Sequence, residues 1–127
     1  MEFKLTTIIE ASPQAVYEAW LSSETHGDMT GGEAHISAEP GSSFSAWDGY
    51  IEGAILELKL NKRIYQSWRT TEFSENEEDS FVEVLLSETD GNTELTLIHT
   101  NLPAHGEQYR TGWKNHYFQP MKEYFSS

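Results

Sequence analysis

The sequence predicts an α+β domain in which a curved antiparallel sheet of six or seven strands wraps around a long C-terminal helix. Three observations carry that expectation. Consecutive β-prone segments are separated by tight-turn signals, which makes an antiparallel meander. The last segment changes period, with Tyr109, Trp113, Tyr117 and Met121 in steps of four. Helical segments fall at the two ends of the strand run and do not alternate with it, which separates α+β from α/β.

The elements follow in order. Phe3 to Ile9 is partly alternating and reads as the first strand. Ser12-Pro13 opens a short helix, because Ser accepts from free first-turn N–H groups and Pro fits the first helical position. Val16, Ala19 and Trp20 share its apolar face, and it fades near Ser22-Ser23. His26 to Gly32 reads as irregular, and Ala34 to Ala38 as a short strand. Glu39-Pro40-Gly41-Ser42 is a turn, Ser43 to Trp47 a short strand, and Asp48-Gly49 a hairpin signal. Ile51 to Leu60 and Arg63 to Thr71 are strands joined at Asn61-Lys62. Ser74 to Ser80 lacks apolar residues and reads as a solvated acidic loop. Strands Ser80 to Ser87 and Glu94 to Asn101 flank Asp90-Gly91-Asn92. The last helix runs from about Glu107 to Tyr124, and Pro120 should bend it or loosen that turn. A sheet with one apolar face must cover it, and this helix is the available cover.

Bulk properties narrow the function classes. The chain has 127 residues, enough for one domain with a real core and no linker or repeat. Aromatic content of 13% can fill such a core and line a cavity as well. The absence of cysteine excludes disulfides, thiolate metal sites and thiol nucleophiles. Eight Lys+Arg against 21 Asp+Glu give a net charge of −13, which repels nucleic acid and anionic membranes. The same charge serves solubility or attraction to a basic partner surface. Met1-Glu2-Phe3-Lys4-Leu5 has no secretory pattern, and no run is long enough to span a bilayer. The expectation is a cytoplasmic protein, monomeric because one core accounts for its apolar residues.

Ile9-Glu10-Ala11-Ser12-Pro13 with Val16-Tyr17-Glu18-Ala19-Trp20 resembles the opening of START-like (SRPBCC) domains. Phe44 to Gly49, Gly53 and Leu56-Glu57-Leu58 resemble the central hairpins of one branch. Asn61 to Arg69 sharpens the likeness, and Gly112-Trp113, His116-Tyr117-Phe118, Met121-Lys122 and Phe125 complete it. That branch is the family of activators of the heat-shock protein 90 ATPase, in its C-terminal-domain type. The eukaryotic activator carries an additional N-terminal domain that makes much of its chaperone contact. The resemblance implies a helix-grip (START/Bet v-like) fold with a cavity between sheet and helix. It also implies a chaperone-cofactor role in the stress response. Fold alone does not give function here.

Alternation aims His99 inward with Leu95 and Leu97, and Gln66 inward with Ile64 and Trp68. Buried polar groups need partners, so Gln66 and His99 satisfy each other, water, or the polar end of a ligand. The candidate ligand-cavity residues are Phe44, Trp47, Gln66, Trp68, Val84, Leu97, His99, Trp113, Tyr117 and Met121. Phe44, Trp47, Tyr50, Trp68, Trp113 and Tyr117 serve either as cavity lining or as plain core, core being the favoured role for most of them, with Trp113 as the pivot. The five His show no metal-binding pairing, and no catalytic residue, cofactor or metal site is expected. Ser12 is a cap and not a nucleophile. The leading expectation is a non-enzymatic module for a small hydrophobic ligand. The alternative is a cofactor that contacts a heat-shock protein 90 homologue. A cyclase- or hydrolase-type enzyme is the third reading, and it requires a wet cavity with convergent polar groups.

Overall fold

The computed structural model describes residues 1–126. Alternation from Phe3 becomes β1 (Phe3–Ile9), with every second side chain buried. The Ser12 hydroxyl accepts from the Ala15 N–H at 3.2 Å and starts α1 (Pro13–Leu21). The remaining strands are β2 (Ser43–Ala46), β3 (Ile51–Lys59), β4 (Arg63–Thr70), β5 (Ser80–Thr89) and β6 (Asn92–Thr100). Six strands, among the described residues, form one sheet in the order β1-β6-β5-β4-β3-β2. Each neighbouring pair is antiparallel, so the run from β2 to β6 is a meander and β1 closes on β6.

The sheet bends where β3 departs from regular pairing. Leu56 is an extra residue between the pairs Ile55↔Gln66 and Glu57↔Tyr65. Gly53 lies beside this bulge. A Cβ there would stand 2.1 Å from the Ser67 carbonyl oxygen, so only glycine allows the two backbones to approach. The Ser67 hydroxyl takes up the Ala54 N–H at 2.8 Å where the ladder lapses.

The concave face holds the C-terminal helical run. A 3-10 turn (Ala104–Glu107) leads into α3 (Gln108–Trp113), a π turn (Lys114–Phe118) and α4 (Gln119–Ser126). The expected loosening at Pro120 takes this form. The Gln119 N–H reaches back to the Lys114 carbonyl, and Pro120 falls at the second position of α4, where its missing donor costs little. The wider turn also brings the adjacent Tyr117 and Phe118 both inward. The fold is the expected α+β helix-grip arrangement.

Two local expectations are corrected. Residues 26–30 of the stretch expected to be irregular are helical: α2 (Ser23–Thr30) follows α1 directly, and only Gly31 and Gly32 of that stretch lie beyond its end. The Ser22 hydroxyl caps it by accepting from Thr25 N–H, and Gly31 ends it at φ 90°. The segment from Ala34 to Ala38 is not a strand. His35 makes one bridge to Ser45, and the backbone of Ile36 turns instead to the Ser23 hydroxyl. The acidic loop is also more ordered than its composition indicates. The Arg69 guanidinium donates to the Ser74 and Glu77 carbonyls and to Asp79, and Ser80 itself is buried. No helix among the described residues is long and apolar enough to cross a membrane.

Candidate functional site

The space between sheet and helix is occupied by interlocked aromatic rings. Trp20 from α1 stacks on Trp113 from α3, with centroids 6.1 Å apart and planes at 17°. Trp68 from β4 meets Trp113 at 5.8 Å and Tyr109 at 4.9 Å. Tyr117 contacts both Trp20 and Trp113. All of these residues are buried.

The inward polar groups are satisfied within this cluster, but not by each other. Trp20 Nε1 donates to Gln66 Oε1 at 3.3 Å. Trp113 Nε1 donates to His99 Nδ1 at 3.0 Å. An indole N–H only donates, so Nδ1 is the accepting nitrogen and Nε2 carries the proton. Nε2 therefore donates to the Ser80 hydroxyl at 2.8 Å, and that hydroxyl donates to the Trp68 carbonyl at 2.6 Å. The chain from indole to carbonyl runs in one direction. Burial lowers the His99 pKa to about 3, so the ring stays neutral.

His26 forms a second lock that the sequence did not indicate. Its Nδ1 donates to the Trp20 carbonyl at 2.8 Å, which leaves Nε2 to accept from the Tyr117 hydroxyl at 2.7 Å. Burial lowers this pKa to about 4, against a smaller upward effect of the Trp20 carbonyl. The same burial raises the Tyr117 phenol. The Ser22 cap and the Gly31 stop were the available sequence signals for α2. Nothing local announced that residues 26 and 117 would meet.

The open cavity lies to one side of this core. A cleft of about 480 Å³ runs between the C-terminal helix and the β2–β3 hairpin. Of the ten candidates, Trp47, Trp68, Trp113 and Tyr117 line it. Phe44, Gln66, Val84, Leu97, His99 and Met121 lie instead in the packed interior, none more than 5% exposed. The sequence reading did not select Ile51, Tyr109, Gly112 and His116, which also border the cleft, as does Tyr50. A search for four-residue spacing in the helix contains Tyr109 but has no reason to prefer Gly112.

Trp47 forms one wall. It and Asp48 adopt positive φ, at 52° and 57°, so a bulky side chain sits at the first central position of a tight hairpin turn. Gly32 packs beneath it, where a Cβ would stand 2.8 Å from the indole ring. His116 meets the ring edge-on at 5.5 Å. The buried Trp47 Nε1 finds no hydrogen-bond partner among the described residues. Across the cleft mouth, the Tyr50 hydroxyl donates to the Glu72 carboxylate, and the Tyr109 hydroxyl lies 2.7 Å from Thr70 Oγ1. Tyr50 and Tyr109 are both pushed up, first by burial and further by the nearby Glu72 charge. No cluster among the described residues has three or more groups placed to hold a metal ion.

The model of the activator of Hsp90 ATPase homolog 1-like protein family matches residues 10–126. The chain belongs to this family. The human activator of 90 kDa heat shock protein ATPase homolog 1 is 31% identical over 117 residues, covering 90% of this chain and 34% of that protein. The Dictyostelium discoideum activator homolog is 28% identical over 126 residues, covering 97% of this chain and 32% of that protein. The chain thus spans roughly a third of the length of these relatives. A crystal structure of an HSP90 activator from Plasmodium falciparum superposes with a TM-score of 0.90 at 23% identity, covering 99% of this chain and 96% of that one. That likeness shows the shared helix-grip fold.

Proposed function

We propose that this family member is a cytoplasmic, monomeric accessory protein that binds a heat-shock protein 90 homologue and stimulates its ATPase. One structural observation favours it over a buried-ligand module: the inward polar groups of the packed interior are already paired. Gln66 is taken by Trp20, and His99 by Trp113 and Ser80. Within that packed interior neither Gln66 nor His99 is left to read a ligand's polar end, so recognition falls to the surface and the cleft that opens there. The names of the relatives, and the charge of −13, support a protein partner reached partly by electrostatic attraction. Calorimetric titration against a purified heat-shock protein 90 homologue tests it. Binding should weaken as salt is raised toward physiological strength and beyond. No heat at low salt removes this reading.

A second reading has its own support. The cleft of about 480 Å³ has the size and aromatic lining of a small-molecule site. A small apolar ligand would lie against Trp68, Trp113 and Tyr117. Amide shifts during titration with lipids and aromatic polyketides test it, and unmoved Trp68 and Trp113 signals remove it for that panel.

The enzyme reading loses support from the hydrogen-bond direction. Activating Ser80 as a nucleophile needs a histidine nitrogen free to accept its proton. Here Nε2 donates to Ser80, because Nδ1 is occupied by the Trp113 N–H.

A further inference from the structure

Gly112 is unexplained by packing. It sits inside α3, where glycine costs helix stability relative to alanine. A Cβ on it would meet no atom within 4 Å, so no close approach requires it. What it borders is the cleft, and its missing side chain leaves that space open.

Aromatic side chains dominate the walls of the space, beside His116 and the neutral Ile51, Gln108, Thr111 and Asn115. Trp47, Tyr50, Trp68, Tyr109, Trp113 and Tyr117 line it, and none of the described lining residues is Lys or Arg. Aromatic faces carry negative quadrupole potential and attract cations. The fixed charge at the mouth has the same sign. Glu72 is held beside the lining residue Tyr50 by the Tyr50 hydroxyl. The remaining surface carries the excess of carboxylates.

We propose that this cleft receives a cationic side chain, a lysine ammonium or an arginine guanidinium, presented by the partner protein. The occupant is fixed by charge complementarity: the aromatic walls take the cation and its apolar stem, and Glu72 holds the charge at the mouth. This deepens the accessory-protein reading by naming the chemistry of the partner's contact, and it rests on that reading for the partner being a protein.

The test needs no chaperone. The indole N–H signals of Trp47 and Trp113 are followed while the chain is titrated with acetyl-Gly-Lys-Gly-amide. The same titration uses the peptide with norleucine in place of lysine, which keeps the stem and removes the charge. The lysine peptide should shift both indoles saturably, with a dissociation constant on the order of millimolar. The norleucine peptide should bind about tenfold more weakly. Glu72→Gln should weaken the lysine peptide about two- to fivefold. Gly112→Leu, which fills the space, should abolish its effect on Trp113 while leaving the amide signals of β5 and β6 in place.

Equal or tighter binding of the norleucine peptide overturns the proposal and favours an apolar ligand. Shifts confined to the loop around Glu75 and Glu78, with both indoles unmoved, also overturn it. These outcomes are read without any ATPase, so they are separable from failure of the chaperone reading. A chain that binds the lysine peptide but no chaperone keeps the site and loses only that named partner.

Discussion

Trp113 Nε1 and His99 Nδ1 lie 3.0 Å apart, and that bond joins the C-terminal helical run to β6. It also fixes the histidine tautomer, and through Ser80 it reaches the backbone of β4. Trp113→Ala should cost about 3–5 kcal/mol through lost packing. Trp113→Phe keeps most of the ring but leaves Nδ1 unpaired, and should cost about 1–3 kcal/mol. Urea unfolding of both variants measures this. An unchanged midpoint for Trp113→Phe would place His99 outside the load on the helix.

Acid should destabilise the fold before most carboxylates titrate. His26 and His99 have folded pKa values of about 4 and about 3, below the usual value of 6.5. Between these limits the unfolded chain binds more protons than the folded one, so stability is complete above about pH 6.5 and falls as pH decreases. Each histidine contributes a slope of up to about 1.4 kcal/mol per pH unit. Urea midpoints between pH 7.5 and 5, at salt high enough to screen surface repulsion, should fall in wild type. They should fall less in His26→Gln. A flat profile would mean that neither ring is buried neutral.

Gly112→Ala should stabilise the protein by about 0.5–1 kcal/mol, because a helix-interior glycine is replaced where no atom obstructs the new methyl. A raised thermal midpoint is the expected result. A lowered one would show that something occupies the space above α3.

Gly53→Ala should do the opposite. Its Cβ would collide with the Ser67 carbonyl oxygen, a backbone atom that cannot rotate away. The expected loss is about 3 kcal/mol or more, read as a collapse of the thermal midpoint or of soluble yield. Normal stability would mean that β3 and β4 can separate at this point.

The strands and the long helix were legible because period and turn residues are local signals. Leu95, Leu97 and His99 alternate, and the structure buries all of them. The partners of the buried polar groups were not legible. Gln66 pairs with Trp20 across 46 residues and His26 with Tyr117 across 91, and no local pattern encodes such a meeting. Helix α2 was hidden by Gly27, by the glycines that follow its end and by its weak apolar face, while His26 is tied to Trp20 and Tyr117. Of the ten residues expected to line a cavity, Trp47, Trp68, Trp113 and Tyr117 border the cleft, and the other six are packed inside. Alternation reports which side chains point inward, but not whether they fill the space they point into. Trp20, Trp68 and Trp113 pack against one another there, and a cleft opens beside Gly112 and Trp47.

The most direct measurement is the ATPase rate of a heat-shock protein 90 homologue as this chain is titrated in at low salt, alongside the Gly112→Leu variant. Saturable stimulation by wild type, with a clear loss in the folded Gly112→Leu chain, is the expected result. An unchanged rate at every wild-type concentration would contradict the accessory-protein function.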